Sequence, residues 1–229
     1  MVNRIDRGQQ GAALAEMSAT DRVRWGLETL PGRAVLSSSF GNQAAVLLHM
    51  TTSIQADIPV VFIDTGYHFA ETYRFVEQLT KRLDLNLHVF SAARSAAWQE
   101  TIDGKRWEQG EDALRRYNDE NKVEPMQRAL DELQAGVWIS GLRRVQSASR
   151  SGIAFRESRW GVEKLHPLAD WSDYDVHQYL TRYALPYHPL REAGYISIGD
   201  WHTTRAVGEI TDSEDLRFGG YFRECGLHR

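Results

Sequence analysis

Cysteine occurs once in the 229 residues, at position 225. A single thiol cannot close an internal disulfide, and it cannot build a cysteine-only metal site. Long apolar runs are also missing. The longest, residues 44–48 and Pro59–Ile63, are far too short to span a bilayer, so no membrane association is expected. Residues 1–6 have no apolar core behind their charges, and no secretory leader is expected there. A net charge of −4 argues against wholesale binding of nucleic acid but permits a local basic pocket for a small anion. These absences together point to a cytoplasmic protein with one α/β domain. Hydrophobic residues at 42% and charged residues at 25% supply the core and the solvated surface such a domain needs.

What is present is an alternation of strand and helix signals. Ser18-Ala19-Thr20-Asp21 has the form of a helix N-cap, and the helix should stop at Pro31-Gly32. Ala34-Val35-Leu36 reads as a buried strand. It enters Ser37-Ser38-Ser39-Phe40-Gly41-Asn42-Gln43, after which a helix begins. Serine hydroxyls and helix-start amides are donors suited to an anion. A plain strand-to-helix turn with a serine cap explains that stretch equally well. It is neither a Walker A loop, which needs Gly-Lys-Ser/Thr, nor a three-glycine dinucleotide fingerprint.

Pro59–Ile63 gives a second strand, ending at Asp64-Thr65-Gly66, with a helix from about Ala70 to Leu83. The carboxyl end of such a strand is where open parallel sheets bind ligands, although an aspartate there commonly caps the next helix. His68 and His88 fit surface or satisfied-core roles better than metal binding. Residues 87–90 read as a third strand, residues 111–120 as a charged, exposed helix, and Pro125 as the first turn of another. Trp98 and Trp107 should cover the domain edge. Residues 137–140 form a fourth strand, followed by Arg143, Arg144 and Arg150 among serines. That cationic lip shares the sheet end of the serine loop and Asp64, which favours an anion site over a solvated charge run. Residues 162–168 read as a further strand, Ser172 to Asp175 as a capping box, and residues 195–199 as a short extended piece. No internal repeat appears. The pattern predicts a mostly parallel sheet flanked by helices.

The C-terminal Arg223-Glu224-Cys225-Gly226-Leu227-His228-Arg229 places the only thiol in a polar context, with a cation two residues before it and a histidine three after. It reads either as a reactive group or as a stray cysteine on a frayed terminus.

Several blocks together resemble one family. Ser37-Ser38-Ser39-Phe40-Gly41, Asp64-Thr65-Gly66, Lys122-Val123-Glu124-Pro125, Gly141-Leu142-Arg143-Arg144 and Trp171-Ser172 occur in order. They are followed by Gly194-Tyr195-Ile196-Ser197-Ile198-Gly199-Asp200, Thr203-Thr204-Arg205 and Glu224-Cys225-Gly226-Leu227-His228. In these blocks the chain resembles the phosphoadenylyl-sulfate (PAPS) reductases of sulfate assimilation, from about Ala34 to the end. The resemblance implies a single Rossmann-like domain of the PP-loop, adenine nucleotide alpha hydrolase-like type. It implies a reductase domain 18–205 and a mobile C-terminal tail 206–229 bearing the catalytic Cys225; residues 1–17 contribute nothing to it, and their weak signals leave an N-terminal segment of uncertain order.

The same resemblance implies substrate contacts from Ser37, Ser38, Ser39, Phe40 and Gly41 to phosphate or sulfate oxygens, and from Ile63, Asp64, Thr65 and Gly66 to the nucleoside. Gly141 belongs to the strand-end block, and Lys122, Arg143, Arg150, Arg217 and His228 are the implied cations. The sister adenylyl-sulfate (APS) reductases ligate a [4Fe–4S] cluster with four cysteines, where this chain has Tyr117, Asn118, Asp200 and Thr203. No bound cluster or other metal is therefore expected. With no second thiol, an external dithiol, thioredoxin or a glutaredoxin, has to release sulfite from a Cys225 S-sulfonate. The family implies a homodimer. A cluster-free APS reductase and an ATP-pyrophosphatase are the competing readings, and the latter would carry Ser-Gly-Gly-x-Asp-Ser in the loop.

Overall fold

The computed structural model describes residues 7–209 together with Phe218, Tyr221, Gly226 and Leu227. Its centre is one six-stranded sheet: β1 (Arg33–Ser37), β2 (Pro59–Ile63), β3 (Asn86–Phe90), β4 (Ala135–Ile139), β5 (Arg156–Arg159) and β6 (Val162–Leu165). The spatial order is β3-β2-β1-β4-β6-β5, with every pairing parallel except β5 against β6. The described helices are α1 (Arg7–Glu16), α2 (Ala19–Thr29), α3 (Ala45–Thr52), α4 (Ala70–Leu83), α5 (Ala96–Asp103), α6 (Glu111–Asn118), α7 (Glu124–Glu132) and α8 (Asp173–Arg182). This is the mostly parallel α/β domain that the alternation of signals predicts.

Side chains alternate across the central strands, so each strand feeds two cores. Leu36, Val60, Phe62, Val137 and Ile139 face α2, α3, α4 and α8, packing on Val23, Leu48, Phe75, Leu79 and Val176. Val35, Val61 and Trp138 face the other way, onto Met126, Ala129, Leu130 and Leu133 of α7 and its end. Burial on both faces explains why these strands read as continuous apolar runs.

The caps at Ser18 and Ser172 form as predicted, with each hydroxyl accepting from the amide three residues on, Asp21 and Asp175. Where the chain enters β1 and β4 it is tightly apposed. A Cβ on Gly136 would stand 2.3 Å from the Pro31 carbonyl oxygen, a distance only glycine avoids.

Five local features differ from the sequence reading. Residues 111–118 are not an exposed helix, because Ala113, Leu114, Tyr117 and Asn118 are buried on one face. A π-helical turn at Asp119–Val123 joins α6 to α7. Residues 195–199 contain no strand, and the strand expected over 162–168 ends at Leu165. Finally, β5 went unread because Arg-Glu-Ser-Arg carries no apolar alternation. It is an edge strand turned back by Trp160 and Gly161, both at positive φ (50° and 81°), as a two-residue hairpin requires. Trp160 tolerates that backbone by stacking on Trp138, ring centres 5.6 Å apart.

Helix α1 is tied down by a buried arginine. Arg22 donates to the carbonyls of Leu14 (2.7 Å), Ala15 (3.2 Å) and Pro167 (2.9 Å), and to both oxygens of Asp170. Its guanidinium lies 3.9 Å from the Phe155 ring centre. Arg22→Met keeps the volume but strips the buried Leu14 and Pro167 carbonyls, the Ala15 carbonyl and Asp170 of their donor. A loss of about 3 kcal/mol in unfolding free energy is expected, read as a lower denaturant midpoint with unchanged slope.

Candidate active site

The strand order reverses between β1 and β4, since the chain runs outward through β2 and β3 and then returns to the far side of β1. Loops diverge at such a point, leaving a crevice at the strands' carboxyl ends. A cavity of about 770 Å³ lies there. It is lined by Ser37 to Ser39, Gly41, Ile63, Thr65, Lys122, Gly141, Arg143 and Arg150, all expected site residues. Among the described residues, four cations line it (Lys122, Arg143, Arg150 and Arg191) against two carboxylates, Asp173 and Asp200. The balance favours an anionic ligand.

The loop after β1 is held open by its own hydrogen bonds. Ser37 Oγ accepts from Trp138 Nε1 at 2.7 Å, and Ser38 Oγ accepts from the Phe40 amide at 3.1 Å. Phe40 has φ of 49° and is wholly buried, its ring edge-on to Phe62 at 5.4 Å. Its side chain thus anchors the loop in the core, and Phe40 does not line the cavity. No serine caps α3: the N-cap is Ala44, without a side-chain bond. Of the two readings left open for this stretch, the plain serine cap is therefore not formed.

The arginine lip divides. Arg143 is 4% exposed and donates to Gln43, to Asp173 Oδ1 (2.8 Å) and to the Trp171 carbonyl (3.1 Å). The Arg143 bond, against burial, holds the Asp173 carboxyl below the usual carboxylate range. Arg150 shares Gln146 with the Arg143 amide. Arg144 instead turns away, donating to the Ile153 carbonyl and lying 4.7 Å from the Phe155 ring centre. Asp64 and Gly66 do not line the cavity. Asp64 Oδ1 accepts from the Gly66 amide (2.8 Å) and the Tyr73 hydroxyl (2.7 Å), which shapes the turn that presents Thr65.

Asp200 is the residue that sequence reasoning left without a role. It is wholly buried at the cavity and accepts from Lys122 Nζ (2.6 Å), Thr65 Oγ1 (2.6 Å) and the Tyr117 hydroxyl (3.0 Å). Burial pushes its carboxyl up, but the Lys122 ammonium, with His68 and His202, overcomes this and holds it well below the usual range. The π-helical turn aims Lys122 at that carboxylate. Gln43, Arg191 and His68 also line the cavity unforeseen; His68 Nε2 meets the Ile63 carbonyl oxygen at 3.0 Å. No spacing in the sequence could have marked them. Cys225, Arg217 and His228 lie outside the described residues, but Phe218 and Leu227 line the cavity.

A family model described as the phosphoadenosine phosphosulfate reductase domain matches residues 33–206. The chain belongs to this family. It is 58% identical over 215 residues to the phosphoadenosine 5′-phosphosulfate reductase of Alkalilimnicola ehrlichii, covering 94% of this chain and 88% of that one. It is 54% identical over 231 residues to the Zymomonas mobilis protein of the same name, covering 98% and 95%. Among solved structures it is similar to PAPS reductase from Candida auris in a phosphate complex, with TM-score 0.77, 30% identity and coverage of 90% and 98%. Candida glabrata FMN adenylyltransferase, at 15% identity and TM-score 0.60 with coverage of 89% and 73%, shares the fold alone.

Within this phosphoadenosine phosphosulfate reductase frame, the four positions compared above with cluster cysteines come together. Tyr117 donates to Asp200, the Thr203 hydroxyl lies 3.4 Å from the Asp200 carbonyl oxygen, and Asn118 adjoins Tyr117 in the chain. An iron–sulfur cluster needs thiolates, and a buried ion pair with Lys122 stands among these side chains instead. The donor set does not fit a cluster.

Proposed function

We propose that this chain reduces PAPS to sulfite and adenosine 3′,5′-bisphosphate, with Cys225 as the nucleophile. The observation that carries the reading is that Leu227, two residues beyond Cys225, lines the same cationic cavity as the serine loop, Lys122 and Arg143. The family membership gives that cavity its substrate class. In the first step the Cys225 thiolate attacks the sulfate sulfur. A sulfur–sulfur bond forms, the sulfur–oxygen bond to phosphate breaks, and the nucleotide leaves with the electron pair. Alignment and charge neutralisation do most of the work, as in phosphoryl transfer. The loop after β1 receives phosphate or sulfate oxygens, and Lys122, Arg143 and Arg150 with Arg217 and His228 supply the positive charge.

The second step needs two electrons from outside. A dithiol attacks the Cys225 sulfur, sulfite leaves, and the carrier's second thiol resolves the mixed disulfide, so the carrier ends oxidised. Thioredoxin or a glutaredoxin fits that description. Handover requires the C-terminal segment, residues 206–229, to present Cys225 to the nucleotide and then to the carrier. A cytoplasmic homodimer without a resident cluster completes the reading.

The test supplies reduced thioredoxin with PAPS or with APS and measures sulfite. Sulfite from PAPS in clear preference to APS is expected; the reverse preference would replace the substrate assignment with the APS reading. Hydrogen exchange of residues 206–229 should slow when adenosine 3′,5′-bisphosphate is bound, and equal exchange with and without it counts against the handover model.

A further inference from the structure

The two backbone carbonyls that directly follow Cys225 are both held by basic side chains of the β5–β6 ribbon. Arg159 donates to the Gly226 oxygen at 2.7 Å, and Lys164 Nζ donates to the Leu227 oxygen at 3.1 Å. Lys164 is wholly buried, with its ammonium 4.0 Å from the Trp138 ring centre and 3.5 Å from Glu157. The Leu227 side chain packs with Trp160 against the core cluster that contains Val35, Trp138 and Val162. On the opposite side, a Cβ at Gly226 would stand 3.0 Å from Val123 Cγ2, and Gly226 has φ of +97°. Gly226 and Leu227 are therefore seated between the ribbon and the π-helical turn that carries Lys122.

We propose that the β5–β6 ribbon is the docking rail for the C-terminal segment, and that Arg159 and Lys164 are positioning residues for the Cys225 thiol. Adjacent residues are joined by a Cα–Cα step of about 3.8 Å, so fixing Gly226 confines Cys225 to its immediate neighbourhood. Two features suit a reversible dock. The acceptors are neutral main-chain carbonyls, so release leaves no buried anion behind. Lys164 keeps Glu157 as a counter-charge when the carbonyl departs, which lowers the cost of opening. What the docked thiol then does rests on the proposed reaction; the docking itself does not.

Arg159→Ala tests this, with the thermal midpoint measured alongside because Arg159 also lies 4.6 Å from the Trp160 ring centre. With adenosine 3′,5′-bisphosphate bound, iodoacetamide should alkylate Cys225 roughly tenfold faster in this variant than in the wild type. Single-turnover formation of the S-sulfonate from PAPS should fall by a similar factor, roughly tenfold. Arg159→Lys should recover part of both effects, and Lys164→Met should reproduce them if it folds. Unchanged alkylation and unchanged single-turnover rate in folded Arg159→Ala would overturn the rail. If the wild type forms no S-sulfonate from PAPS, the reaction assignment fails while the alkylation rates still decide the docking.

Discussion

Cys225→Ser is expected to lower sulfite formation by roughly 10⁵-fold or more, the scale seen when a covalent nucleophile is removed. Two independent reasons stack. A serine hydroxyl is far less ionised and less nucleophilic than a thiol, whose ordinary pKa near ~8.5 leaves a few per cent thiolate at neutral pH. The second reason is chemical. Reduction to sulfite requires a sulfur–sulfur bond that an outside thiol can cleave, and an O-sulfonate offers none. With no other cysteine in the chain, no neighbouring thiol can substitute. The wild type mixed with PAPS and no reductant should gain the mass of one SO₃ group; the serine variant should not, while still binding adenosine 3′,5′-bisphosphate. Wild-type levels of sulfite from the serine variant would sink the mechanism.

Asp200→Ala is expected to cost about 3–5 kcal/mol, the penalty for stranding one partner of a buried ion pair. Against a typical domain stability of about 5–15 kcal/mol, that is a large fraction. Three donors lose their acceptor at once: Lys122 Nζ, Thr65 Oγ1 and the Tyr117 hydroxyl. The double variant Asp200→Leu with Lys122→Met removes both charges. It should recover much of the stability but little of the sulfite-forming activity, because the Lys122 cation is lost from the cavity. Urea denaturation alongside the sulfite assay separates the two effects. Full additivity of the Asp200→Leu and Lys122→Met single losses in the double variant would show that the pair is not coupled.

The same carboxylate sets a pH dependence. Its folded pKa is depressed, so its contribution is present above the ordinary carboxylate range and is lost as pH falls, beginning below about pH 5. Glu157 acts in the same direction, its carboxyl held down to about 2 chiefly by the His166 hydrogen bond. Asp200→Asn should therefore be less stable at neutral pH and lose less on acidification. An unchanged acid slope would rule out this linkage.

How far the chain could be read differs from element to element. The central strands were legible because burial on both faces leaves an apolar run that composition cannot hide. The N-caps at Ser18 and Ser172 were legible because capping is local, spanning three residues. Strand β5 was not, since an edge strand with solvent on one side needs no apolar alternation, and its turn residue Trp160 stacks on Trp138, a contact between distant positions. The resemblance identified Lys122 and Arg143 as site cations, but not their partners: Arg143 turns to Asp173, while its neighbour Arg144 turns to Phe155.

By itself the amino-acid sequence determined the α/β class, the family and the solitary thiol. These follow from composition and from motifs whose meaning is local. The tertiary structure alone decided the partners of the charges. It set Lys122 on Asp200, separated two adjacent arginines, and laid Arg159 and Lys164 against the carbonyls after Cys225. The Lys122–Asp200, Arg159–Gly226 and Lys164–Leu227 pairings join residues more than 60 positions apart, and only the strand order and the turn geometry bring them within hydrogen-bonding distance.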